Sequence, residues 1–537
     1  MKKNILTLLL VMTMGFMITG CSSTEQMGLN EEGKVENNEI TAYVGNTIFE
    51  SSLDPIKGAM SDGYSFINNA LIKVNEKSEY VGDLANSWTI SEDALTYTFT
   101  LRPDIQFTDG SDFTAEDVVF TYETVMKNQG NNENVDLTKL DTVTAIDDYT
   151  VAFKLKACYS PFFDTVAKLQ IVPSDAYNSS TFDTHPIGTG AWKIVQYDTN
   201  QQMILEANEN YYDGVPKIKK VTLVYMDQEA AFAAAQSGQL DIVMVSPTYV
   251  KEVIPGMCLQ TFDTMDVRNI SLPVRKQAVV TNANGDTMTI GNNVTSDPAV
   301  RKALSIGINR QDIINHAFNG VGKPAIHFTN NLLWASNDDY EDAQVEVAKQ
   351  LLENAGWMDQ DGDGIREKDG VRCTFDVYAP GSDKDRYNLA VALGEDASKL
   401  GIEIVVKTTT WDEVQTLKNT AGIVWGWGQY SPTVIYSLLY SNLFLSGDYD
   451  NVVGYENLDV DAAISQALSA NTQEKAIEKW QEAQSIANEA YPYLYLVNIQ
   501  HCYFVSNKLD LSLTTQIPHP HGHGSPIICN MNDWSFK

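Results

Sequence analysis

No Cys-x-x-Cys pair occurs in this chain, and its six cysteines (Cys21, Cys158, Cys258, Cys373, Cys502 and Cys529) lie far apart. A structural zinc ribbon needs closely spaced pairs of thiolates, so that class is excluded. The five cysteines after Cys21 are an odd number, and their pairing is not legible; Cys502 with Cys529 and buried free thiols are the two readings. Histidine is scarce, with seven in 537 residues, and no His-Glu-x-x-His marks a zinc hydrolase. Gly-x-Ser-x-Gly is missing too, which removes the usual serine-hydrolase elbow. Basic residues are few: 37 against 70 acidic ones, a formal net charge of −33. Such a surface repels nucleic acid and anionic lipid. There is no internal repeat, and beyond the first 20 residues no run of roughly 18 apolar residues could span a membrane.

What is present begins with MKKNILTLLLVMTMGFMITGC. Two lysines, a short apolar run and a small-residue end make residues 1–20 a secretory leader. Ile18-Thr19-Gly20-Cys21 resembles the bacterial lipobox, which implies lipidation of Cys21. Two acyl chains would hold the chain stably on a membrane, where one would not. Residues 21–39 are polar without hydrophobic period and read as a flexible tether. The remaining residues, about 500, exceed one comfortable core, so two or more lobes are expected.

Strands and helices alternate in mixed order, an α/β pattern. LTYTFTLRPDIQF reads as a strand pair turning at Pro103-Asp104. TAEDVVFTYETVMK reads as a helix capped by Thr114, with Asp117 in its first turn. QEAAFAAAQSGQLDIV is a helix stopped at Gly238 and followed by a buried strand. DPAVRKALSIGI opens a helix with Asp297 as N-cap and Pro298 at its first position. Gly356 ends the helix in EDAQVEVAKQLLENAGW, and TQEKAIEKWQEAQSIANEA leads into the apolar YPYLYLV.

LANSWTISEDALTYTFTLRPDIQFTDGSDFTAEDVVFTYE (84–123) resembles the signature of the family 5 extracellular solute-binding proteins, the peptide and nickel receptors of ABC importers. HPIGTGAWKI with LEANENYYDGVPKIKKVTLVYMDQEAAFAAAQSGQLDIV, VRKALSIGINRQDIINHAFNGVGKPA, AKQLLENAGWMDQDGDGIREKDG, and NVVGYENLDVDAAISQAL with AYPYLYLVN continue the likeness in order. The resemblance implies a two-lobed periplasmic-binding-protein type II fold (cluster C), with an extra subdomain on lobe I and a hinge of two crossing strands. Lobe I is then expected at 40–274, with its subdomain at about 70–170. Lobe II is expected at 275–492 and the return to lobe I at 493–537, with crossings near RNISLPV (268–274) and YLYLVN (493–498). The implied activity is ligand capture for a permease rather than catalysis, with no cofactor, by a monomer on the outer face of a lipid-tethering, Gram-positive type of membrane. A nickel complex, if bound, would be cargo.

Candidate ligand residues centre on VWGWGQYSPTVIYSLLYSN: Trp425, Trp427, Gln429, Tyr430 and Tyr436, joined by Tyr43 and by Arg268 at the proposed crossing. Aromatic core packing is the competing reading for the rings, and a structural ion pair for Arg268. Arg268 suits a ligand carboxylate because its guanidinium can fork onto both oxygens. Peptide-binding relatives carry an aspartate in this Gly-Trp segment that pairs with the peptide amine; Gln429, Tyr430 and Ser431 stand here instead. PHPHGHGSP places His519, His521 and His523 at alternate positions, so an extended backbone would present all three to one side. Imidazole suits nickel, zinc or copper, and the competing reading is a solvated loop. His501 is a weaker candidate, while His185, His316 and His327 read as structural. DQDGDGIRE has Asp359, Asp361 and Asp363 at calcium-loop spacing, but Gly370 stands where the bidentate glutamate belongs, so a structural turn is the preferred reading. PIGTGAW lacks a phosphate-loop ending and reads as backbone brought close to a cleft or hinge.

Overall fold

In a computed structural model the described residues are 38–537, apart from 51, 59–65, 129–131, 133–134, 283–284, 329–331, 340, 430, 447–448 and 512–525. Cys21, Tyr430, His519, His521 and His523 lie outside the described residues. The architecture turns on two long antiparallel strands, Met257–Ser271 and Tyr493–Ser506. Most of Tyr493–Ser506 is buried on both faces, the pattern of a strand interior to a sheet. Its pairing with Met257–Ser271 runs from Met257↔Ser506 to Ser271↔Tyr493, interrupted by irregularities after Asp263 and after Arg268.

A mixed sheet extends from this pair in both directions. On one side the order is Met257–Ser271, Gly422–Trp427, Thr374–Pro380, Glu403–Thr409. The last three run parallel, because the helices Lys384–Ser398 and Trp411–Leu417 carry the chain back between them. On the other side come Ile242–Val245, Glu39–Tyr43, Lys220–Val224, Gln202–Ala207 and Trp192–Asp198. Glu39–Tyr43 is parallel to both of its neighbours. Separate hydrophobic cores flank the central pair: one contains Leu304, Phe375, Leu393 and Leu496, and another Trp192, Leu205, Tyr503 and Trp534.

A four-stranded antiparallel sheet stands apart, ordered Ala85–Ile90, Thr96–Leu101, Thr150–Leu155, Leu140–Asp147. Phe99 and Phe153 are fully buried in its core and meet edge to face at 5.5 Å. Burying each such ring is worth roughly 2–3 kcal/mol. The helix Ala115–Lys127 covers this sheet, and its first turn is held by the Thr114 N–H donating to Asp117 Oδ2 at 2.9 Å. The hairpin expected at Pro103-Asp104 does not form. Thr96–Leu101 pairs with Ala85–Ile90 and Thr150–Leu155, and Gln106 makes only an isolated bridge to Asp112. Ile105, Phe107 and Phe113 are instead drawn into the core, so the segment after Pro103 serves packing rather than pairing.

The other helix signals hold. Asp297 Oδ1 accepts the Ala299 N–H at 3.0 Å over Pro298–Gly307, and Gly238 and Gly356 follow their helices at φ +77 and +89. No disulfide forms among the five described cysteines, so Cys502 and Cys529 are not joined to each other. No helix among the described residues is long and apolar enough to cross a membrane.

Candidate functional site

In a parallel sheet, ligands gather where the strands end at their carboxyl sides, because loops and helix starts converge there. This molecule has two such edges, and they meet. The strand Ile242–Val245 ends at Ser246, whose hydroxyl donates to Asp385 Oδ1 at 2.8 Å. Asp385 belongs to the first turn of Lys384–Ser398, just past the end of Thr374–Pro380. Beside it Lys384 pairs with Glu229 at 3.1 Å, and Lys251 Nζ donates to Asn319 Oδ1 at 2.8 Å.

A charged centre lies at this meeting line. Arg268, on Met257–Ser271, pairs with Asp266 at 3.0 Å, and both are buried, 7% and 1% exposed. Their room comes from the Trp-Gly-Trp-Gly run of the neighbouring strand, where Arg268 lies opposite Gly426. A Cβ on Gly426 would stand 2.0 Å from Arg268 Nη1, and one on Gly428 would stand 2.8 Å from the Asp266 backbone. The alternation of the strand thus hands one face to the ion pair and the other to the indoles. Arg386 stacks over the Trp411 ring at 5.0 Å and pairs with Asp383 at 3.5 Å. Burial, reinforced by the like charge of Arg268, brings the Arg386 guanidinium down to about 9. Burial also raises the Asp385 carboxyl above its ordinary value, with Asp383 adding to the effect against the Ser246 hydrogen bond and Arg268.

The indoles form a chain: Trp411 to Trp425 at 6.0 Å, and Trp425 to Trp427 at 5.6 Å. The indole nitrogens of Trp425 and Trp427 and Nη1 of Arg268 are buried and make no hydrogen bond among the described residues. Trp425 is itself core, 4% exposed, while Trp427 and Gln429 are half-buried. Tyr436 is half-buried on Thr433–Leu439, its ring 4.9 Å from that of Tyr440. Tyr43 sits in a different core, with Val243, Cys502 and Phe504. Arg268, Trp425 and Trp427 are therefore brought together on paired strands, Tyr436 packs against the same hydrophobic cluster as the two tryptophans, and Tyr43 belongs to a different core.

A cavity of about 640 Å³ opens between residues of the four-stranded sheet's surroundings and residues 332–334, 432 and 470–480. It is bounded where Ser160 donates from its N–H to Leu468 O at 2.9 Å and from its hydroxyl to Ala467 O at 2.8 Å. A second cavity, of about 380 Å³, is lined only by residues 66–217 and 528–533 and so does not straddle the central strands. Sequence reasoning missed Arg386, Trp411, Trp88 and Asp164. Arg386 lies in Asp-Lys-Asp-Arg and Asp164 in a short Phe-Phe-Asp turn, patterns that look like solvated helix starts.

The remaining candidates settle plainly. His501 is buried and pairs across from Phe262, His327 is buried near Ser336, and His185 and His316 are exposed. The carboxylates of Asp359, Asp361 and Asp363 are close together but are directed at their own loop. Asp359 accepts the N–H groups of Gly362 and Gly364, and Asp363 pairs with Arg372 at 2.5 Å, bonds that suit the structural-turn reading, while the three carboxylates lie close enough together to share an ion. PIGTGAW does bring backbone close: a Cβ on Gly188 or Gly190 would fall within 2.1 to 2.5 Å of Ile67 or its neighbour Phe66.

Comparison with known proteins gives consistent matches. Residues 79–449 match the model described as bacterial extracellular solute-binding proteins, family 5 Middle. Protein XP55 of Streptomyces lividans is 30% identical over 525 residues, covering 95% of this chain and 92% of that protein. The oligopeptide-binding protein AppA of Bacillus subtilis is 26% identical, covering 92% and 93%. Among solved structures, NikZ from Campylobacter jejuni in complex with Ni(L-His) superposes with a TM-score of 0.76 at 21% identity, covering 93% of this chain and all of that one. The mixed α/β fold is thus that of the type II periplasmic binding proteins.

Proposed function

The chain belongs to the family 5 bacterial extracellular solute-binding proteins, which serve peptide and nickel ABC importers and are not enzymes, and from that premise we propose that it captures peptides in an interlobe cleft and hands them to a permease. The two lobes are 40–274 with 493–537, and 275–492. The observation that carries the reading is the buried Arg268–Asp266 pair, with Arg386 and the Ser246-bonded Asp385 near it and the tryptophan chain beside it, where the two carboxyl edges meet. Such a place offers a carboxylate a guanidinium fork and gives side chains flat apolar walls.

Capture works by differential affinity for the open and closed arrangements. Moving a population from 1:99 to 99:1 needs about 5.5 kcal/mol of such difference. The exposed Glu229–Lys384 pair adds little to it, because water screens exposed ions. The bound ligand therefore supplies most of what holds the lobes closed. Lipidation at Cys21 places the receptor on the outer face of the cell membrane.

A second reading, a nickel-complex receptor, is favoured by the His519, His521 and His523 cluster and by the likeness to a receptor solved with Ni(L-His). One experiment separates the two: native purification, release of bound ligand for mass spectrometry, and metal analysis of the same sample. A set of short peptides without metal supports the peptide reading. Stoichiometric nickel, lost when the three histidines are replaced by alanine, supports the other and removes the first.

A further inference from the structure

The 640 Å³ cavity has a lining of one sign. Three carboxylates, Glu79, Asp164 and Glu474, face it, and its described lining residues include no lysine, arginine or histidine. Aromatic rings make up much of the rest, with Trp88 and Phe163 5.6 Å apart on one wall and Trp334 and Trp480 on the other. Glu79 and Glu474 are exposed, whereas Asp164 is only 6% exposed. The Asp164 carboxylate accepts from the hydroxyl of Tyr80, and the Ser431 hydroxyl, bonded to Thr433, acts on it electrostatically. Lys168, one helical turn further on, acts on it only through space.

A buried carboxylate held by one neutral hydroxyl, with no cation in hydrogen-bond reach among the described residues, has a large unmet demand for positive charge. Aromatic side chains lining the same space are compatible with a cation there as well. We propose that Asp164 is the counter-charge for an ammonium group of the bound ligand, in an aromatic-walled subsite closed by both lobes. The proposal rests on the peptide-receptor reading and names what that receptor selects: ligands with a free amine, at the chain terminus or on a lysine side chain. Burial raises the Asp164 carboxyl above its ordinary range, and a bound cation works against that rise. Charge-assisted pairing of this kind is also specific, since a capped amine leaves the carboxylate buried without its partner.

The test uses the full chain and three peptide pools from one casein digest: untreated, acetylated on lysine only, and acetylated on every amine. Retained peptides are quantified by mass spectrometry for the wild type and for Asp164→Asn, which keeps the acceptor oxygen for Tyr80 but removes the charge. The wild type should lose at least 30-fold in retention on full acetylation, and Asp164→Asn should retain all three pools at one reduced level. Survival of binding in the lysine-acetylated pool assigns the subsite to the terminal amine, and its loss assigns it to lysine. Equal retention of all pools by the wild type overturns the subsite and leaves the peptide reading intact. So does an Asp164→Asn chain that still discriminates as the wild type does. If the wild type retains no pool, the peptide reading fails and this proposal with it. The wild-type comparison needs no substitution, so a misfolded variant does not rescue the idea.

Discussion

At Arg268 a guanidinium leaves water for a place where Asp266 is 3.0 Å away and a glycine has cleared the space. Breaking such a pair costs more than the pair is worth, because the partner stays behind buried. Arg268→Ala should therefore lower the unfolding free energy by about 3 kcal/mol or more, read from denaturant midpoints. Replacing both partners, Arg268→Met with Asp266→Leu, should recover most of that loss. If the double variant is no better than the single one, the ion-pair account is wrong. Arg268 and the tryptophans were legible in sequence because rare residue types sat at a segment boundary. Asp164 and Arg386 were not, because a carboxylate or a guanidinium in a first helical turn is ordinarily a solvated group, and here residues distant in the chain, Tyr80 and Trp411, bury it.

Helix starts carry their own chemistry, and Asp297 gathers three partners at one. Its carboxylate caps Ala299, meets Lys368 Nζ at 2.7 Å and accepts from the Trp357 indole at 3.1 Å. Burial opposes ionisation there, yet these partners hold the Asp297 carboxyl below its usual range. A depressed carboxyl contributes stability that is present above its unfolded value, near 3.8, and is lost as pH falls through the lower folded value. Asp297→Ala should cost about 1–2 kcal/mol at pH 7, and the gap to the wild type should close in urea titrations at progressively lower pH below 4. A gap that stays constant down to pH 2 would exclude the linkage. Caps and glycine stops such as Asp297, Gly238 and Gly356 are local, which is why sequence located them. The strand pairing around Pro103 was not local: it depended on Thr150–Leu155, some fifty residues away in the chain, competing for the same edge.

At the scale of the molecule, the proposed anchor at Cys21 and the proposed ligand site are separable. Cys21→Ser should move the protein from the membrane fraction into the medium while leaving its ligand set unchanged, scored by fractionation and mass spectrometry. A variant that stays membrane-bound would remove the lipid tether from the account.

The central strand Tyr493–Ser506 lies between Ile242–Val245 and Met257–Ser271, which follow one another closely in the chain. A polypeptide emerging from its amino end therefore makes both neighbours long before the strand that joins them. Until residue 493 appears, two bonding edges wait open across a gap at the middle of the sheet, and the cores that hold much of 275–492 still lack Leu494, Leu496 and Val497 on one side and Tyr493 and Tyr495 on the other. The last long strand to be synthesised therefore closes the sheet and completes the cores on both of its sides in one step, which ties the folding of the early residues to the arrival of the late ones.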